Sequence, residues 1–446
     1  MATIYVDPSK ASNGNGSLAT PYNTWASVTW VAGNTYLQAG GTTYSGVILV
    51  TVTGTQANPI IVGSYDPVTG LRTTGGVKRA RVNGNNTKLT VRASGAVHWV
   101  TFDNLEVFGT TGTAGNQGIA IYLGSDQSSV SDDCTVSNCW IHDVTGLLLP
   151  NTDSDGIMFF GSRCRIINNL IENISADGVW GQGNSAYIVG NTIRRTSMEN
   201  TRGDCVQVYG TATLGCANTY IAYNDLDHSH KESKQCIISG DVTGIAYSAG
   251  SVIEFNTCRM APYAGAIQTT CILSYGDGAA IRNNVCTGGY NGIYFDGTNC
   301  SATGNIVDGN TLGVQQAPTA VGGLVAHNVC LDSTSTGIYA NADATFRAYN
   351  NVLVNCATGI GLAGTENGNA FWLCTTNTSN QGGTATHGSR TVTTDPLFAD
   401  PTQPWLGLKP GSPCQSAGAY IQGARDRFGR RYLNPPNIGP WAVIGR

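Results

Sequence analysis

The sequence predicts an all-β solenoid, a right-handed parallel β-helix, and three observations carry that expectation. A short apolar–Asn–apolar pattern recurs along the chain. The apolar runs are brief and alternate rather than following helical spacing. The composition favours strands and turns: only 12% of the 446 residues are charged, against about 25% in an average soluble domain. Glycine is abundant, at 58 residues, and the common helix formers are scarce.

The repeat has an apolar residue, Asn three positions later, and a second apolar residue two positions beyond that. It reads Ile166-Asn169-Ile171, Ile188-Asn191-Ile193, Ile221-Asn224-Leu226, Ile253-Asn256-Cys258 and Ile281-Asn284-Cys286. It continues as Ala302-Asn305-Val307, Val325-Asn328-Cys330 and Ala348-Asn351-Leu353, with looser copies around Asn138 and Asn104. From Asn284 to Asn351 the steps are 21, 23 and 23 residues; upstream they run mostly from 28 to 34, with one step of 22 between Asn169 and Asn191. A unit of this length, with insertions, is one coil of a solenoid. Each coil adds about 4.8 Å, the distance between hydrogen-bonded strands. Asn suits the bend between two strands, because it tolerates the left-handed conformation and its amide can bond to copies above and below.

A second strand opens with a small residue followed by a β-branched one: Gly156-Ile157, Gly178-Val179, Cys205-Val206, Cys236-Ile237, Ala266-Ile267, Gly292-Ile293, Gly313-Val314, Gly337-Ile338 and Gly359-Ile360. The same register accounts for many of the 14 cysteines. Cys258, Cys286 and Cys330 stand where other coils have Ile, Leu or Val, as small apolar residues of an inward ladder. No C-x-x-C pair or Cys/His cluster has zinc spacing, and no metal site is expected. Residues 1–30 read as an N-terminal cap, 31–390 as the β-helix, and 391–446, which lack the Asn repeat, as a segment folded back on the last coils.

Net charge is −4 and no long basic run is present, so nucleic acid is not an expected partner. No apolar stretch is long enough for a membrane span. The opening MATIYVDPSK lacks the charged and apolar regions of a secretory signal.

Chemistry is expected where insertions lengthen the coils. The path from Asn to the following small residue takes eight or nine residues in later coils, but 18 after Asn138, 14 after Asn191 and 12 after Asn224. Loops on a rigid stack are where function concentrates. These insertions border the densest ionisable group of the chain: Asp153, Asp155, Asp177, Glu199, Arg202, Asp204, His228, His230, Lys231, Glu232 and Lys234. Asp155, Asp177 and Asp204 each precede the small residue of consecutive coils and should stack in one column. Later coils place Gln235, Asn291, Leu312, Thr336 and Thr358 there. The column has two readings, a functional set of carboxylates or a set of turn-forming residues. Two residues past the small one, the side chain should face outward. That row includes Trp180, a platform for the apolar face of a sugar or a packed indole under a loop, and Gln207.

Two reactions fit. In glycoside hydrolysis one carboxyl protonates the leaving oxygen and a second activates water. In β-elimination a Lys, His or Arg removes the proton beside a uronate carboxyl, and the segment from His228 through His230 and Lys231 to Lys234 offers such bases. That segment reads equally as a solvated loop. No cofactor is expected; Ca²⁺ enters only with the elimination reading.

The repeat over roughly 100–360 resembles the pectate-lyase-like β-helix superfamily, and more narrowly the polysaccharide depolymerases of bacteriophage tailspikes. The opening Tyr5-Val6-Asp7-Pro8 with Pro21-Tyr22-Asn23-Thr24 resembles the start of such proteins. Asp395-Pro396-Leu397-Phe398 with Leu408-Lys409-Pro410-Gly411-Ser412-Pro413 resembles their closing segment. The resemblance implies glycan binding on the outer wall, a homotrimer, and an extracellular or virion-associated location reached without a classical signal peptide. It maps hydrolase carboxylates onto Asp155, Asp177 and Asp204, and a lyase base onto Lys231, Lys234 or Arg202. Glu199, Arg202, Trp180, Gln207, His228, His230, Lys231 and Lys234 are the expected substrate-binding residues. An endo-acting hydrolase on a bacterial surface polysaccharide leads, a lyase comes second, and a non-catalytic glycan-binding spike is the third reading.

Overall fold

The structure, a computed structural model, describes residues 1–446 except 114–116, 147–153, 199–202, 232, 241–246, 266–268, 401–406, 422–424, 427–429 and 442–446. It divides into two compact units, Met1–Asp227 and His228–Arg446. Each is built from short strands in three sheets of stacked parallel strands, typically one strand per sheet in a coil, with a 3-10 turn at Trp25–Ser27. The architecture is the right-handed parallel β-helix, the hand that parallel crossovers adopt.

In the first unit, the coil from Asp155 shows the pattern. The strand Asp155–Phe160 lies on the first wall, Arg165–Ile167 on the second and Leu170–Ile174 on the third. Register is strict. On the first wall Ile48, Val91, Ile121, Ile157, Val179 and Val206 stack rung on rung. On the third wall Val82, Val107, Ile141, Ile171, Ile193 and Leu226 do the same. All are fully buried. Alternation along a strand sends the neighbouring side chains outward, so the inner ladders form the core and the outer rows form potential working surfaces. The N-terminal strand Thr3–Val6 pairs in parallel with Thr35–Ala39 and adds a rung.

The second unit repeats the scheme, with Ile237, Ile272, Ile293, Val314, Ile338 and Ile360 in one inner ladder. Cys258, Cys286, Val307, Cys330, Leu353 and Phe371 form another. All 14 cysteines are free thiols and only Cys374 is not fully buried. The sequence misplaced one rung here. Cys271–Ile272, not Ala266-Ile267, lies opposite Gly292–Ile293; Ala266-Ile267 falls outside the described residues. Near the C-terminus, Cys414, Ile438 and Trp441 pack against Ile306, Val329, Val352 and Ala370.

The Asn residues form buried ladders. In the first unit the amide N–H of Asn169 donates to Asn191 Oδ1 and that of Asn191 to Asn224 Oδ1, at 3.0 and 2.9 Å. In the second unit the chain of bonds runs from Asn256 through Asn284, Asn305, Asn328 and Asn351 to Asn369 at 2.8–3.0 Å. The left-handed turn falls one residue earlier than expected, on Asn168, Tyr223, Phe255, Asn283, His327 and Asn350. Asn138 and Asn104 share that left-handed position. They are therefore not rungs: Cys139 takes the ladder place and its amide donates to Asn169 Oδ1 at 2.9 Å.

Candidate active site on the first wall

The acidic column lies in register within the first unit. The pairing of Ile157 with Val179 and of Val179 with Val206 sets Asp155, Asp177 and Asp204 on successive rungs. Their setting differs from a row facing solvent. Asp155, Asp177 and Asp204 are 1%, 5% and 2% exposed. Asp155 Oδ1 accepts the amide N–H of Asp177 at 3.1 Å, and Asp177 Oδ1 accepts that of Asp204 at 2.5 Å. The first two carboxylates thus lie along the stack, each holding the next coil, rather than projecting outward. The local chain explains this. In this turn the amides of Gly156 and Ile157 both bond to the following coil, and a Cβ on Gly156 would meet the Gly178 carbonyl oxygen of that coil at 2.6 Å. Only glycine lets the two coils close up here, and the closure brings the preceding carboxylate over the next amide.

Beside the column runs an outward row: Leu49, Arg92, Tyr122, Met158, Trp180 and Gln207. Met158 is buried, while Arg92, Tyr122, Trp180 and Gln207 are half-buried. Phe160 and Tyr209 widen the aromatic surface. Phe160 meets Trp180 edge-on at 5.4 Å and Tyr122 at 6.2 Å, and Tyr209 stacks with Trp180 at 6.5 Å. Burial, with the Asp126 carboxylate adding to it, pushes the Tyr122 phenol up to about 12, so it stays a neutral donor; its hydroxyl donates to the Ser125 carbonyl. Arg92 Nε is buried with no hydrogen-bond partner among the described residues. The half-buried Arg92 side chain stands next to Tyr122 in this row, and guanidinium N–H groups suit sugar oxygens.

Arg92, Tyr122, Phe160 and Tyr209 escaped the sequence reading. The coils of Arg92 and Tyr122 precede the first marked coil, at Gly156, and Phe160 and Tyr209 lie two residues beyond the outward positions Met158 and Gln207, although the alternation in Ile119–Leu123 was a usable signal. A further group on the third wall was also missed. Trp140 Nε1 donates to Glu172 Oε1 at 2.9 Å, Arg194 holds the other oxygen of Glu172 at 2.9 Å, and Arg81 Nε donates to Glu106 at 3.0 Å.

Glu199 and Arg202, with Asp153 and Glu232, lie outside the described residues. The basic segment belongs to the second unit. His228 is fully buried, against the expectation of a substrate contact, and meets the exposed His230 edge-on at 5.8 Å. Lys234 is exposed; Lys231 is half-buried and burial lowers its pKa. Among the described residues no three His, Cys, Asp or Glu side chains converge to hold a metal ion, the acidic column included.

Comparison with known proteins places the fold. The sequence pattern of NosD, a periplasmic copper-binding protein family, matches residues 227–393, less than half the chain. No curated protein sequence matches. Among solved structures, the complex of XylC with xylose is 10% identical, with 99% of this chain and 98% of that one covered and a TM-score of 0.51. The GH136 lacto-N-biosidase from Eubacterium ramulus is 14% identical over 77% of this chain and 65% of its own, at a TM-score of 0.48. The Dettilon tailspike protein gp208 is 15% identical over 77% and 66%, at 0.46. The chain thus spans just under two thirds of the length of these last two. The likeness to XylC runs over nearly the whole of both chains, and it is a likeness of fold, the parallel β-helix.

Proposed function

We propose that the chain is an endo-acting polysaccharide depolymerase, a glycoside hydrolase of bacterial surface polysaccharide, working on the first wall of the Met1–Asp227 unit. One observation carries the reading: three in-register carboxylates run beside an outward row of Arg92, Tyr122, Trp180 and Gln207. Rings on such a row stack on sugar faces, and the Arg and Gln donors orient hydroxyls. Hydrolysis needs one carboxyl to protonate the glycosidic oxygen and one to activate water. Asp155 and Asp204 stand two rungs apart, about 9–10 Å between backbones at the parallel-strand spacing. That is close to the roughly 6.5–9.5 Å carboxyl separation of inverting enzymes. The reading draws the acid and the base from Asp155, Asp177 and Asp204, with Asp177 also holding the Asp204 amide.

The test is incubation with a panel of bacterial capsular and exopolysaccharides, followed by mass analysis of the fragments. Fragments with new reducing ends and no ultraviolet absorbance of an unsaturated uronate are expected. Trp180→Ala should raise KM about tenfold with a smaller change in kcat, the scale of a lost stacking contact. Intact polymer throughout would sink the enzyme reading.

A second reading is favoured by one observation, the lowered pKa of half-buried Lys231. A lysine more easily deprotonated is suited to act as the base of a β-elimination, and unsaturated products would select that reaction. The homotrimer and the virion-associated location belong to the same proposal; sedimentation of the purified chain tests the first.

A further inference from the structure

The first unit carries a second concave site, on the third wall and away from the acidic column. A cleft of about 410 Å³ is lined by Lys78, Arg79, Arg81, Glu106 and Trp140. Three cations therefore meet one carboxylate on its surface. Lys78 is paired with Asp66 at 2.8 Å and Arg81 with Glu106 at 3.0 Å. Arg79 Nε donates instead to the Asn138 carbonyl at 3.1 Å, and no ion pair ties it among the described residues. The positive excess of the cleft thus sits on a guanidinium anchored by a neutral acceptor.

The aromatic floor is fixed in place. The Trp140 indole N–H is held by Glu172, which Arg194 grips through its other oxygen. His142 packs on the Trp140 ring at 4.2 Å and stacks on Phe108 at 5.3 Å. Behind the cleft, His142 Nε2 is buried and without a hydrogen-bond partner among the described residues, 3.5 Å from Glu106 Oε1.

We propose that this cleft binds a carboxylate-bearing saccharide, a uronate-containing stretch of chain, as a binding site separate from the first wall. Arg79 takes the sugar carboxylate, Trp140 stacks on the ring face, and Glu106 accepts a hydroxyl. The inference rests on the glycan reading above for the class of ligand.

The probe is a galacturonate oligosaccharide titrated into the full chain by calorimetry. Binding that weakens about tenfold or more in Arg79→Gln and in Trp140→Ala is expected, the scale of one charged hydrogen bond. The methyl-esterified oligosaccharide should bind more weakly by a similar factor. Trp140→Phe, with matched thermal melts, guards against simple loss of fold. No binding by the unmodified chain, equal binding of the ester, or full binding by both cleft variants would overturn the proposal. Polysaccharide cleavage with no oligosaccharide binding by the unmodified chain leaves the depolymerase reading standing alone; binding without any cleavage leaves the cleft alone.

Discussion

Asp177 joins two jobs that substitutions can separate. Its Oδ1 accepts the Asp204 amide, and Asn keeps an oxygen in the same place while losing the charge and the exchangeable acid proton. Asp177→Asn and Asp204→Asn should therefore preserve the fold and cut polysaccharide cleavage by about 100-fold or more, the scale of acid–base assistance. Asp177→Ala should in addition lower stability by about 1–3 kcal/mol, the cost of a buried amide left unsatisfied. Full activity in both Asn variants would leave the column a purely structural spine. His327 gives a pH signature of a different kind. It is fully enclosed, with Nδ1 set against the Gly439 carbonyl at 3.1 Å and Nε2 against the Asn350 amide nitrogen at 3.2 Å, under the Tyr432 ring. Burial lowers its pKa from 6.5 to about 4. The folded ring stays neutral while the unfolded one takes a proton near pH 6.5, so the unfolded state binds more protons between these values. The stability this residue contributes is complete above pH 6.5 and is lost as pH falls toward 4, by about 3 kcal/mol in all. Denaturant titrations at pH 7 and 5 should show the loss, and His327→Asn should flatten it.

At the scale of the strand and the turn, the Asn ladder is what fixes one coil on the next. Each internal rung uses both sides of its amide. Asn305 Oδ1 accepts from the backbone and side chain of Asn284, while its Nδ2 donates to Asn328 Oδ1 and to the Ile281 carbonyl. Asn305→Ala leaves several buried groups unsatisfied at once and should cost about 2–4 kcal/mol in chemical denaturation. A cost under about 0.5 kcal/mol would mean that water replaces the amide. The repeat pattern in the sequence located these rungs from Asn169 to Asn351 because each is a buried amide flanked by inward apolar residues, and it did not reach the last rung, Asn369. It failed at Asn138 and Asn104, where the left-handed residue is itself Asn and the rung is Cys139 or Leu105. Both places favour Asn, one for its backbone conformation and one for its side chain. Local pattern alone does not tell them apart.

Over the whole molecule, an apolar outer row of a wall must be covered, and in the His228–Arg446 unit the C-terminal segment covers one on the third wall. Trp441, Cys414 and Ile438 lie on Ile306, Val329 and Val352. A chain ending at Arg390 should expose this surface and aggregate, as measured by light scattering during refolding. A monomeric, fully soluble truncation would show that the segment is dispensable.

The sequence by itself determined the coil: its length, its inward residues, the place of the thiols in the ladders, and the alignment of Asp155, Asp177 and Asp204. These follow from periodicity, and periodicity is local. Which way those carboxylates turn was decided only by tertiary structure. The close approach of Gly156 to its neighbours lays Asp155 along the stack, and no linear pattern encodes that approach. The same holds for the company each outward residue keeps. Arg92, Tyr122 and Trp180 are far apart in the chain and become one row through register. Trp140, Glu172 and Arg79 meet through coils of unequal length, so their spacing in sequence carries no trace of their contact in space.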